Sequence, residues 1–133
     1  MMTIHPIPLL RQALLADAAT SGAFGLLILV AGGPLSHLLG LPEMLLRICG
    51  LLLLPYAALL GYLGLREQLA KPIVWAVVIG NAFWAADSML LLVSGWVHPT
   101  SAGYAFVILQ ALAVLMYAEF QYVGLRRSAA AAT

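Results

Sequence analysis

Charge is what this sequence has least of. Only 8% of its 133 residues are Asp, Glu, Lys or Arg, where a soluble domain carries about a quarter. A chain this poor in polar surface cannot coat a water-facing globule, which excludes an ordinary soluble domain. The formal net charge of +1 gives no basic excess, so nucleic acid is not an expected partner. One cysteine, Cys49, rules out an intramolecular disulfide; it lies in an apolar stretch and should pack as a small hydrophobe. The three histidines, His5, His37 and His98, fall in the N-terminal arm and in loops, so a haem held between facing helices has no ligands. His37 and His98 share one side, but two histidines without a third ligand do not define a metal site. No Ser–His–Asp or Cys–His set shares a depth, and no phosphate loop is visible. Catalysis, cofactors and metals are therefore not expected.

What the chain does have is apolar length. Hydrophobic residues make up 64% of it, and the mean hydropathy is +1.04. Four segments, 13–31, 44–63, 73–93 and 102–123, each hold about 20 residues, enough at 1.5 Å per residue for the roughly 30 Å hydrocarbon core. The expected fold is all-α: one domain, a polytopic membrane protein with four transmembrane helices in an antiparallel up-down bundle. The first segment is interrupted by Asp17, Thr20, Ser21 and Gly22. Its Ala16-Asp17-Ala18 has the small–x–small form of a cleavage site, but it precedes the strongest apolar run, so the segment is read as a retained span. Between the spans, 32–43 carries two glycines and Pro42, 64–72 is a short charged turn ending in Pro72, and 94–101 offers Thr100 or Ser101 as a helix cap. The tail from 128 to 133 has no pattern and is expected to fray.

Arg11, Arg66, Lys71, Arg126 and Arg127 all flank one side of this arrangement. By the positive-inside rule that side is cytoplasmic, which puts both termini inside a bacterial plasma (inner) membrane. Tyr62, Trp75 and Tyr122 then fall at the inner interface, and Trp96 and Tyr104 at the outer one.

The polar residues within the spans are the candidate site. Asp87 lies about 10 Å below the outer end of the third span and Arg47 about 5 Å below that of the second. The short turn between the two spans makes them expected neighbours, and an Arg47–Asp87 ion pair is available. Arg47 shares a face with Gly50, Leu54, Ala57, Ala58 and Gly61, a small-residue stripe that suits close helix packing. Asp87 shares a face with Ala76, Gly80, Phe83, Trp84 and Leu91. Towards the cytoplasmic side, Asp17 and Glu119 stand at similar depth inside their spans without a basic partner. They reach the interface, carry a proton, or bond to Thr20, Ser21, Tyr117 or Gln121, and interfacial water is the preferred reading. Two carboxylates forced together would form a proton site. Asn81 and Gln110 are read as interhelical hydrogen-bond partners. Pro55 in mid-span frees the Leu51 carbonyl and offers a hinge.

The phrases "SGAFGLLILVAGGPL", "LGLPEMLLR", "LLLLPYAALLGYLGLR", "NAFWAADS", "GWVHPT" and "AEFQYVGLRR" resemble those of small, uncharacterised four-helix integral membrane proteins of proteobacteria. That resemblance runs nearly the full length and implies no activity. The chain is also similar to small multidrug resistance transporters in having four helices and an acidic residue, Asp17, in the first. Their aromatic and glycine patterns do not match. Fluoride channels of this size have a filter motif that is missing here, and the one-sided Lys/Arg distribution argues against dual insertion. The expected function is a non-enzymatic accessory or lipid-facing bundle with membrane lipid as its surroundings, and with a second copy or another membrane protein as possible partner. The alternative is a small proton-linked transporter acting as a dimer, with Asp17, Asp87 or Glu119 titrating.

Overall fold

A computed structural model describes residues 3 to 131. Its regular structure is helix apart from two short strands: β1 (Thr3–Ile4), α1 (Pro8–Val30), α2 (Gly32–Leu39), α3 (Glu43–Leu65), β2 (Leu69–Ala70), α4 (Lys71–Val93) and α5 (Ser101–Ala131). The helices α1, α3, α4 and α5 are long and apolar enough to cross a membrane, so the chain is a multi-pass membrane protein built as a four-helix bundle. Their outer surfaces carry Leu, Ile, Val and Phe side chains that water would not tolerate in such number, including Leu51, Leu90, Leu109 and Phe83.

The bundle consists of two antiparallel pairs. α1 packs along the length of α3, and α4 along α5; the pairs meet where α1 lies against α5. The fourth side of the square, between α3 and α4, is barely packed. The expected adjacency of the second and third spans does not occur. The small-residue stripe explains why: it faces α1, with Ala57 against Gly22, Leu54 against Gly25, and Gly61 beside Ala18. At Gly50 the two backbones come so close that a Cβ there would stand 2.7 Å from the Gly25 carbonyl oxygen. Only glycine permits that approach, and α3 spends its most adhesive face on α1.

One end of the bundle gathers the basic residues. β1 and β2 pair antiparallel there, Thr3 with Ala70 and Ile4 with Leu69. Arg11 donates to the terminal carbonyls of α3, Gly64 at 2.6 Å and Arg66 at 3.1 Å, closing a helix end that has no N–H of its own to offer them. Arg66 and Arg126 lie over the rings of Tyr62 and Tyr122, and Trp75 meets Tyr122 edge-on. The aromatic belt expected at that end is therefore tied to its arginines.

Two segments differ from the expected layout. Residues 32–39, read as glycine-rich punctuation, form the short helix α2, closed by Gly40 in the left-handed conformation at φ 68°. The tail continues as helix to Ala131, because alanine is the best helix former and Ser128 is buried, accepting a hydrogen bond from the Ile7 N–H at 3.0 Å. Thr100 caps α5 as expected, accepting from Gly103 N–H at 3.1 Å while donating to the Leu38 carbonyl at 2.8 Å. α3 runs unbroken through Pro55.

Candidate functional site: a polar layer beside an open cleft

Two apolar clusters fill the bundle. One, at the basic end, is built on Leu10, Leu14, Leu60, Val74 and Leu125; the other, at the far end, on Ile28, Leu46, Leu53, Leu92 and Val107. Between them, every membrane-crossing helix contributes a polar side chain to one layer. It comprises Asp17 and Ser21 of α1, Tyr56 of α3, Asn81 of α4 and Gln121 of α5. Each stands nine to thirteen residues from its helix end on the basic side, about 14–20 Å at 1.5 Å per residue. That depth is close to the middle of a roughly 30 Å core.

Asp17 is the centre of the layer. It is 2% exposed, and its two oxygens accept three hydrogen bonds: Ser21 Oγ at 3.0 Å on Oδ1, Asn81 Nδ2 at 2.9 Å and Gln121 Nε2 at 2.8 Å on Oδ2. Asn81 uses its second N–H on Gln121 Oε1 at 2.9 Å, and its own oxygen accepts from Tyr56 Oη at 2.7 Å. No buried side-chain nitrogen or oxygen among the described residues lacks a partner. Three bonds of this layer, Asn81–Asp17, Gln121–Asp17 and Tyr56–Asn81, join one helix pair to the other, while Ser21–Asp17 and Asn81–Gln121 lie within a pair. Packing is closest within each pair; the α1–α5 contact and these three hydrogen bonds hold the pairs to each other.

A second polar ring sits nearer the far end on α4 and α5. Trp84 Nε1 donates to Gln110 Oε1, Gln110 Nε2 donates to Ser88 Oγ, and Ser88 Oγ donates to the Trp84 carbonyl, each at 2.8 Å. This fixes the Trp84 indole across the interior.

The open side between α3 and α4 is a cleft of about 300 Å³. Leu52, Leu53, Gly80 and Val114 form its apolar walls with Trp84, and Ser21, Tyr56 and Asn81 bring the polar layer to its lining. Gly80 is informative here, since a Cβ at this position would meet nothing within 4 Å. Helix packing does not require this glycine, and what it preserves is open space. At the opposite seam, a smaller cavity of about 120 Å³ lies between α1 and α5 and is lined by Asp17 itself, with Thr20, Phe24, Trp84, Gln110 and Tyr117. Thr20 and Tyr117 share a 2.6 Å hydrogen bond across that seam. The two cavities share Ser21, Leu53, Trp84 and Val114 as walls.

Arg47 and Asp87 are not brought together. Arg47 pairs with Glu43 on its own helix, Nε to Oε2 at 2.9 Å, and donates from its guanidinium to the Leu29 carbonyl at 3.3 Å. Asp87 is exposed on the outer face of α4 and makes no hydrogen bond or ion pair among the described residues. Both residues stand near the far end, as expected, but α3 turns its Arg47 face to α1 while α4 is on the other side of the cleft. Nor do Asp17 and Glu119 meet: Glu119 is exposed on α5, and Asp17 is in the core rather than at interfacial water. Asn81 and Gln110 do bond between helices, as their positions suggested. Tyr56 and the bond from Asn81 to Gln121 went unforeseen, although Asp17, Tyr56, Asn81 and Gln121 stand at one depth on the helices of the structure. Among the described residues, no three of His, Cys, Asp and Glu cluster as a metal site would require. No protein-family model, curated protein or solved structure matches this chain.

Proposed function

We propose that this chain is a non-enzymatic, lipid-facing membrane bundle that takes a small amphiphile from the bilayer into the α3–α4 cleft. It would reside in a bacterial plasma membrane with its basic end, and so both termini, on the cytoplasmic side. One observation carries the reading: two spans that follow one another in the chain leave an open, apolar-walled gap between them, with the polar layer along its lining. A cleft with apolar walls and a few convergent polar groups is the usual form of a small-molecule site. Gly80 points the same way, because alanine there would favour the helix by roughly 0.5–1 kcal/mol and would collide with nothing.

The test is saturation binding of an environment-sensitive lipophilic dye to purified protein in an uncharged detergent, with wild type compared against Gly80→Leu. Leucine at that position fills the cleft without touching the packed seams. Binding about tenfold weaker in the variant, at unchanged melting temperature, is the expected result, in line with a filled apolar pocket. Equal binding by both proteins rejects the cleft as the site.

The proton-linked transporter remains the second reading, supported by the burial of Asp17 and its place in the wall of the smaller cavity. It predicts solute-driven proton movement in proteoliposomes that Asp17→Asn abolishes. Proton flux unaltered by that substitution counts against it.

A further inference from the structure

We propose that the polar end of this amphiphile is a cationic nitrogen, a protonated amine or a quaternary ammonium, held against Asp17 in the smaller cavity. This rests on the cleft reading above and adds the charge of the ligand. Asp17 is 2% exposed, and every group that bonds to it is neutral: a hydroxyl and two amides. Arg11 is engaged on the α3 carbonyls and Arg47 on Glu43, and neither stands at this depth. A carboxylate taken out of water and solvated only by neutral dipoles is a strong attractor for a cation.

The cavity wall offers the other half of a cation site. Phe24, Trp84 and Tyr117 all line it, and aromatic faces attract ammonium groups through their quadrupoles, more so when water is excluded. An anionic head would meet Asp17 as a like charge, and a neutral head would gain at most a hydrogen bond of the kind Ser21, Asn81 and Gln121 already supply. A single layer of side chains, among them Ser21 and Trp84, separates this cavity from the α3–α4 cleft. In this proposal the head lies beside Asp17 and the alkyl tail reaches the cleft by displacing the side chains that both cavities share.

The experiment compares hexyltrimethylammonium with its uncharged carbon isostere, in which a tert-butyl group replaces the trimethylammonium. Both are titrated against the full chain in an uncharged detergent, with intrinsic tryptophan fluorescence and melting temperature as readouts. Wild type is expected to bind the ammonium compound at least about tenfold more tightly than the isostere, and Asp17→Asn to lose most of that preference. Phe24→Leu leaves the polar layer untouched, so it serves if Asp17→Asn does not fold; it should weaken ammonium binding and leave the isostere unaffected. Equal binding of both compounds to wild type overturns the cationic assignment while leaving the cleft reading in place. Binding of neither compound overturns both. Retention of the ammonium preference in a folded Asp17→Asn protein also overturns the assignment.

Discussion

Three donors on one buried carboxylate make Asn81 the residue on which the interior most depends. Its amide bonds to Asp17, Gln121 and Tyr56, which sit on the three other membrane-crossing helices. Asn81→Leu removes both N–H donors and an acceptor while keeping the bulk, and it leaves Asp17 short of a partner in an apolar setting. The substitution is expected to lower stability by roughly 1–3 kcal/mol, the cost of orphaning a buried polar group. Thermal unfolding in detergent measures it, and Gln110→Leu is the comparison: that residue bonds to Trp84 and Ser88 but to no charge-bearing group, so its loss should be milder. The outward carboxylate behaves differently. Asp87→Asn should leave stability within about 0.5 kcal/mol, and a double-mutant cycle with Arg47→Gln should show coupling within the same range, because the two side chains share no contact. Depth along a helix could be read for Arg47 and Asp87 by counting residues. Their facing could not be, since it depends on which helix each packs against.

Elements were legible where a single face or a cap decides them. The four spans follow from apolar length, and Thr100 capped the last helix as its position before that span suggested. The stripe of Gly50, Leu54, Ala57 and Gly61 signalled a close helix contact, which the structure provides, but the partner is α1 rather than α4. Small residues specify how near a neighbour can come, not which neighbour it is. α2 was missed because Gly32, Gly33 and Pro34 read as a turn, yet they open a helix that Gly40 then closes. Glycine thus has opposite roles on the two helices flanking the cleft. Gly50→Ala forces a methyl to within 2.7 Å of the Gly25 carbonyl and must separate α1 from α3, at an expected cost of about 1–3 kcal/mol. Gly80→Ala meets nothing and should be neutral or stabilising by up to about 1 kcal/mol. Unfolding of the two variants side by side tests both statements.

At the scale of the whole molecule, the bundle is two tightly packed pairs joined by a polar layer and open along one edge. Each of the four spans supplies at least one side chain to that layer, and a second, smaller polar ring joins α4 to α5 nearer the far end. Counted from the helix ends of the structure, Asp17, Tyr56, Asn81 and Gln121 share a depth, whereas the shorter spans read from apolar length put Asp17 and Gln121 close to the interface. The open edge is harder to anticipate, because it arises from what α3 and α4 do not share.

That open edge is what the functional account depends on, and lipid quenching tests it directly. In a Trp75→Phe, Trp96→Phe background, Trp84 is the only remaining tryptophan, and it lines the cleft near the middle of the bundle. In bilayers of lipids brominated at mid-chain, its fluorescence should be strongly quenched, and Gly80→Leu should relieve much of that quenching by blocking the cleft. Trp84 that is unquenched, or equally quenched with and without Gly80→Leu, would mean that lipid does not enter between α3 and α4, and the account would fail.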